Sequence, residues 1–458
     1  MMSRDVRIWA IRVNELGPRK KSYTVRWKVA NNKPTKTFAN RTLADNFRSE
    51  LKSAFNNGEE FDVESGLPAS MLAAKDVTTW LEFVRRYIAM KWPAAAATSR
   101  ESMTDALATV TPALVNNATG RPDTSLLRKA LRLHGLLPEN RREELPLDAA
   151  AALRWLEQAS LPLTDLANAE TVRQGLDALA LNLDGTAAAA TTHRRKRSVF
   201  YNVLQYAVEL EQLDFNPVDK LRVSANRKKV AEVVDRRSVV NPRQARELLT
   251  AVSYVGRRGK DAKRGERLVA FFACLYFAAL RPGEALGLRA QNCYLPEKGW
   301  GSLTVERSHP AAGKRYTDSG EVHDDRGLKH RGEDDARTVP IPPELVAILR
   351  EHIKRFKVSD HLFRSANGKP ISPSGYARVW REARKLALLP AQVNSPLAAR
   401  PYDLRHAGVS LWLNAGVHAP DVADRAGHSV DVLLKVYAKC IDGDRDTMNT
   451  RIEFALAS

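Results

Sequence analysis

The sequence predicts a multidomain, mainly helical protein: a small three-stranded β-sheet with one helix at the N-terminus, a helical middle domain, and a mixed α+β, mostly helical C-terminal domain. Three observations carry this. At 458 residues the chain exceeds what one core organises, and roughly 100 to 200 residues per domain suggests three. The apolar pattern has period two near the N-terminus and helical spacing after it. Asn216-Pro217 and Asn241-Pro242 punctuate the chain on either side of a weakly patterned basic stretch.

Residues 1–62 form the first predicted domain. Val6 and Ile8, then Tyr23, Val25, Trp27 and Val29, then a stretch ending near Phe38 alternate with polar residues, as half-buried strands do, and Asn31-Asn32 supplies turn chemistry. A helix over 42–55 closes the unit, with Leu43, Phe47, Leu51 and Phe55 on one stripe. Residues 1–57 hold 13 Lys and Arg against 4 Asp and Glu, a net of +9 out of +19 for the whole chain. Such concentration predicts a basic sheet face for a polyanion, contributed by Arg19, Lys20, Lys21, Arg26 and Lys28 interleaved with Tyr23 and Trp27. A merely solvated charged sheet is the plain alternative.

The second predicted domain, 70–225, is helical and rich in alanine. After the cap-like Thr191-Thr192, the residues Phe200, Val203, Leu204, Ala207 and Leu210 line one helix face, while Arg194, Arg195, Lys196 and Arg197 crowd the first turns. Positive charge there opposes the helix macrodipole, so an external anion such as a phosphate backbone is expected. A basic linker over 226–237, with Arg227, Lys228 and Lys229, is read as lying along DNA. Asn241-Pro242 is an N-cap followed by proline at the first turn, and opens the third domain, 238–458.

Composition narrows the class further. The 72 Lys and Arg against 53 Asp and Glu favour a polyanionic partner, for which nucleic acid is the commonest. Cys274, Cys293 and Cys440 are widely spaced and odd in number, which predicts neither a disulfide framework nor a zinc site and suits a reducing compartment. The N-terminal MMSRDVRIWAIRVNELG carries charges where a signal peptide needs an apolar core, and the apolar run 268–280 is shorter than the ~20 residues that span a bilayer. No membrane association is expected, and a cytoplasmic protein is.

Three clusters in the third domain carry candidate chemistry. The run 268–280 enters Arg281-Pro282-Gly283-Glu284, where Pro282 starts a new helix and holds Arg281 at a junction, either for a ligand or as an ion-pair partner of Glu284. Lys329 stands in or beside a hairpin that precedes the strand-like 337–341, where a lone lysine is ordinarily just solvated. Tyr402-Asp403-Leu404-Arg405-His406 opens a helix running to Gly416, Pro420 and Gly427 bracket a second, and His428-Ser429 lead into a third with Ser429 as N-cap. On that third helix Val430, Leu433, Leu434 and Tyr437 share a face, which by itself marks Tyr437 as a packed aromatic.

Together, Arg281, Lys329, the pair Tyr402/Arg405, Gly427-His428 and Tyr437 nine residues after His428 resemble the active-site signature of the tyrosine recombinase (phage integrase) family. The phrases LRPGEALGLR, ARTVPIPPEL, PYDLRHAGVS and AGHSVDVLLKVYAK extend the resemblance over about 240–445, and it is especially similar to integrases of actinobacterial phages and integrative elements. More loosely, 1–62 resembles the family's arm-binding domain and 70–225 its core-binding domain.

The resemblance implies a site-specific DNA recombinase that cleaves and rejoins DNA through a 3′-phosphotyrosyl bond and needs no metal or nucleotide cofactor. It implies Tyr437 as nucleophile, Arg281 and Arg405 as bidentate forks on the non-bridging oxygens, Lys329 as general acid to the leaving 5′-oxygen, and His428 as a phosphate hydrogen-bond donor. Where the family most often has histidine this chain has Tyr402, whose phenol is a poor proton acceptor near neutrality. It is read as a phosphate-positioning donor, and the acceptor for Tyr437 is left open. His406, about 100° round the helix from Arg405, is read as packing. The family also implies a homotetramer on two DNA attachment sites, docking of the C-terminal segment from about 444 on a neighbouring protomer, and an accessory DNA-bending or directionality factor. A type IB topoisomerase and a catalytically silent DNA-binding protein of recombinase ancestry are the competing readings.

Overall fold

The computed structural model describes residues 2–15, 21–38, 40–73, 78–141, 144–221, 233–256, 264–328, 335–437, 440 and 445–457. Chain contacts divide it into two compact units, Met1–Tyr87 with Ala108–Leu131 and Pro146–Lys220, and Ile88–Leu107 with Arg132–Leu145 and Leu221–Ser458. Most described elements are helices, and no described helix is long and apolar enough to cross a membrane.

In the N-terminal sheet the long strand Lys21–Val29 is the spine. Thr35–Phe38 pairs antiparallel along one edge, joined by a two-residue turn in which Ala30 adopts φ 49°. Along the other edge run Val6–Ile8 and Arg12–Glu15. Between the pairs Ile8↔Trp27 and Arg12↔Thr24, three residues on one strand oppose two on the other, so a bulge divides the first strand. The expected three strands are therefore four, with Met2–Ser3 and Phe61–Asp62 as a further short pair.

Val25, Trp27 and Val29 face inward and Arg26 outward, as alternation dictates. The helix Arg41–Asn56, capped by Asn40 Oδ1 on the Thr42 amide, lays Ala44, Leu51 and Ala54 on this face, and Phe47 packs edge-on to Trp27 at 5.4 Å. Leu43 and Phe55 are exposed, contrary to the predicted stripe. Residues four apart drift about 40° per step round a helix, so a stripe from 43 to 55 rotates off the sheet at its ends.

In the middle segment, Phe200, Val203, Leu204 and Ala207 of Ala190–Glu209 are buried as their spacing predicts. The helix starts ahead of Thr191-Thr192 with Ala189 as N-cap, so neither threonine caps it.

The C-terminal unit has two apolar cores. The larger gathers around the buried helix Glu266–Phe277, against Pro242–Tyr254, Pro373–Ala387 and the three-stranded antiparallel sheet Cys293–Tyr294, Gly301–Val305 and Arg337–Ile341. Asn241 and Gln244 form a reciprocal capping box around Pro242, realising the predicted start. The smaller core joins Val234, Ala279, Val409, Leu413, Val422, Ala423, Ala426, Leu433, Tyr437 and Cys440. The helix Asp403–Asn414 contributes to both, Leu404 and Ala407 to the larger and Val409 and Leu413 to the smaller.

That helix meets Glu266–Phe277 at Gly408, where a Cβ would stand 2.1 Å from the Tyr276 carbonyl oxygen, a backbone atom that cannot step aside. Gly408→Ala is expected to cost about 1–3 kcal/mol through forced separation of the two helices. Denaturant unfolding of the full chain measures it, and an unchanged midpoint would show that the helices part freely.

Candidate active site

The site is built around one buried carboxylate. Arg281 is the N-cap of Pro282–Gly287, and Glu284 on the first turn accepts from the Arg281 backbone N–H at 2.8 Å and from its Nη1 at 2.7 Å. Arg337, the first residue of its strand, completes the clamp, donating from Nη1 and Nη2 to the two Glu284 oxygens at 2.9 and 2.7 Å. Arg405 approaches the same carboxylate at 4.0 Å. Burial pushes the Glu284 carboxyl up, but hydrogen bonds and attraction from Arg337, with Arg405 and Arg281 beyond, outweigh it and leave the pKa at about 2. Three guanidiniums around one carboxylate leave an excess of positive charge that suits an anion.

The helix Ala419–Ala426 closes the cluster with its C-terminus. Arg281 Nη2 donates to Gly427 O at 2.7 Å, Arg337 Nε to Arg425 O at 3.1 Å, and Arg405 Nη2 to Ala426 O at 2.6 Å. Cations at the carbonyl end of a helix match its dipole. Gly427 must be glycine twice over: it takes φ 64° as the C-cap, and a Cβ would lie 2.8 Å from Arg337 Nη1.

Arg405 is wholly buried. Its Nη1 donates to the carbonyl of Ala279, which the left-handed φ of 47° at that residue turns inward, and its Nη2 also donates to His428 Nε2. Its Nε has no hydrogen-bond partner. An imidazole nitrogen that accepts from a guanidinium carries no proton, so His428 is neutral with its hydrogen on Nδ1. Burial, then Arg405 and Arg281, hold its pKa down at about 3.

Tyr437 lies on Val430–Tyr437 beside Leu433, with no exposed surface. Val430 and Leu434 are 37% and 44% exposed, so the predicted four-residue face narrows to two buried residues. Burial pushes the Tyr437 phenol up. Its Oη is 3.0 Å from His406 Nδ1, and the two rings are 5.7 Å apart. His406, expected merely to pack, thus touches the candidate nucleophile. Tyr402, one turn earlier, meets the His406 ring edge-on at 5.1 Å.

A cleft of about 1110 Å³ passes over this cluster, lined among others by Arg281, Tyr402, His406, Gly427 and His428. Arg281 reaches it directly, while Arg405 and Tyr437 lie beneath its wall.

Arg281, Arg405, His428, Tyr402 and Tyr437, distant in sequence, are therefore adjacent, and Lys329 lies outside the described residues. Sequence reading missed two participants. Arg337 shares the inward face of its strand with the buried Val339 and Ile341, and a charge on that face requires a buried partner. His406 is four residues from Tyr402, on the same helix face.

The expected polyanion contacts are distributed differently. Trp27 is buried, donating its indole N–H to Gly66 O at 2.6 Å, so the aromatics and the outward Arg26 occupy opposite faces. Lys21 pairs with Glu15 at 3.3 Å and Lys28 with Asp5 at 3.4 Å. On Ala190–Glu209, Arg194 and Arg195 are exposed and Arg197 half-buried, but Lys196 turns inward and donates to Thr109 Oγ1 at 2.9 Å. Its aliphatic stem spaces it toward the buried side, one turn before Phe200. Arg19, Lys20, Arg227, Lys228 and Lys229 lie outside the described residues.

Residues 238–442 match the sequence model of the phage integrase family. A tyrosine recombinase XerC-like protein of Caldanaerobacter subterraneus subsp. tengcongensis is 24% identical over 205 residues, covering 40% of this chain and 48% of that protein, about half its length. Among solved structures, the Tn1549 transposon integrase bound to transposon right end DNA is similar at a TM-score of 0.47 and 18% identity, over 73% of this chain and 99% of that one. The XerH site-specific recombinase bound to palindromic difH is similar at 0.47 and 13% identity, over 82% and 97%. Over residues 238–442 the chain is thus similar to the phage integrase family and to a tyrosine recombinase XerC-like protein.

Proposed function

We propose that the protein is a site-specific DNA recombinase that integrates or excises a mobile element, with Tyr437 forming a 3′-phosphotyrosyl bond. The observation that carries this is the convergence of Arg281, Arg405, His428 and Tyr437 from separate segments onto one carboxylate-centred cluster under a cleft. In the reaction Tyr437 Oη attacks phosphorus and the 5′-oxygen departs. Arg281, and Arg405 once its side chain is released toward the phosphate, stabilise the non-bridging oxygens. His428 donates from Nδ1, Tyr402 positions the phosphate, and Lys329 protonates the 5′-oxygen.

The domain plan that goes with this reading is an arm-binding domain at 1–62, a core-binding domain at 70–225, a basic linker at 226–237 and a catalytic domain at 238–458. DNA contacts are proposed from Arg19, Lys20, Lys21, Arg26, Lys28, Arg194, Arg195 and Arg197, and from Arg227, Lys228 and Lys229 of the linker. Assembly is a homotetramer on two attachment sites, with pairs of protomers cleaving in turn. The helix Arg445–Ala457 supports docking on a neighbour, since Ile452, Phe454 and Leu456 are 57%, 79% and 82% exposed.

The test is a nicked suicide duplex built from DNA flanking the gene. The full-length protein is expected to leave a covalent adduct on a denaturing gel. The complete burial of Arg405 and Tyr437 favours a second reading, a DNA-binding protein without cleavage. Binding to the duplex with no adduct would select it.

A further inference from the structure

We propose that His406 takes the proton from Tyr437 Oη during strand cleavage and returns it during rejoining; this rests on the recombinase reading above. Among the described residues, His406 Nδ1 is the polar group within hydrogen-bond distance of Tyr437 Oη, at 3.0 Å. It also lines the cleft that the nucleophile does not reach, so it stands between the phenol and the space a phosphate would occupy.

The surroundings suit an acceptor. To accept, the imidazole must be neutral at working pH, and burial followed by the charges of Arg405 and Arg400 keeps it so, at about 4, against the pull of Asp403. A bound phosphodiester brings negative charge to the arginine cluster. It offsets the guanidiniums that depress His406, so the ring becomes more basic when substrate is in place. The Tyr402 ring buttresses the other side of His406, fixing its plane relative to the phenol. Where a histidine is usual the chain has a phenol, and one helical turn later it has the imidazole.

The step balances without any further reagent. The Tyr437 Oη–P bond forms as the P–O5′ bond breaks, the phenol proton passes to Nδ1, and the 5′-oxygen leaves with the bond pair and is protonated by the general acid. In rejoining, the 5′-hydroxyl attacks phosphorus and gives its proton back to the now deprotonated general acid, the Tyr437 Oη–P bond breaks, and the imidazolium returns its proton to the phenolate.

The experiment measures single-turnover cleavage of the nicked duplex by full-length protein carrying either tyrosine or 2,3,5-trifluorotyrosine at position 437, with and without His406→Ala. With tyrosine, His406→Ala is expected to slow cleavage about 100-fold or more. With the more acidic fluorinated phenol, which needs less help to lose its proton, most of that loss should disappear. A purely structural role would cost the same with either phenol, and that result overturns the proposal, as does wild-type cleavage in the variant. If His406→Ala does not fold, His406→Gln takes its place under the same criteria. An adduct in the wild type with no His406 effect rejects only this inference, whereas no adduct in the wild type rejects the recombinase reading and this inference with it.

Discussion

Tyr437→Phe is expected to leave no covalent protein–DNA adduct while the protein still folds and binds DNA. The phenyl ring keeps every apolar contact in the small core of Val409, Leu413, Leu433 and Cys440, and only the hydrogen bond to His406 is lost. A single buried hydrogen bond contributes about 0.5–1.5 kcal/mol, so unfolding should shift only slightly. Cleavage, by contrast, loses its attacking oxygen, and the rate should fall on the order of 10⁴-fold or more, as when a covalent nucleophile is removed from an enzyme. The measurement pairs the suicide-duplex gel with denaturant unfolding of the same preparation. An adduct that persists in the phenylalanine variant would move the nucleophile elsewhere on the chain.

The second large effect is on stability. Glu284→Gln removes the one carboxylate that Arg337 and Arg281 share, leaving Arg337 and Arg405 buried without their countercharge. Breaking a buried pair from one side costs about 3–5 kcal/mol. The same residue sets an acid limit. Its carboxyl sits at about 2 in the folded protein, below its ordinary 4.5, so it contributes stability that is present above about pH 4.5 and is lost as pH falls through about 2. Wild type should therefore lose stability across that window, and the glutamine variant should show a flatter profile from a lower starting point. Unfolding midpoints between pH 2 and pH 7 decide it. Equal stability at pH 7 together with identical acid profiles would mean that the arginines are held by the helix carbonyls alone.

What the sequence made legible follows the range of the forces involved. The capping box at Asn241, the glycine stop at Gly427 and the inward faces of Lys21–Val29 and Ala190–Glu209 are local, and reading them requires only neighbouring residues. The grouping of Arg281, Arg405, His428 and Tyr437 was reached by resemblance, since nothing local brings residues so far apart together. Contacts that depend on how one element approaches another were out of reach. The burial of Lys196 needs Thr109 at the right height, the His406–Tyr437 bond needs two helices in register, and the role of Arg337 needs Glu284 on the helix Pro282–Gly287 beside its strand. The bulge that splits the first strand has the same origin, because alternation survives on both sides of a one-residue insertion.

The separation of the two C-terminal cores has a dynamic consequence. The helix bearing Tyr437 belongs to the smaller one, while Arg281 is anchored by elements of the larger. Segments held by few buried contacts open at a lower free energy than the global transition, so the helix Val430–Tyr437 is expected to open first, whereas 419–427 stays tied to Arg281, Arg337 and Arg405 through its carbonyls. In amide hydrogen exchange this means two classes of protection, with 430–437 expected to exchange through a sub-global opening and 266–277 only on complete unfolding. On the reading proposed above, such an opening exposes Tyr437 at the cost of a small core, while Glu284 still holds Arg281 and Arg337.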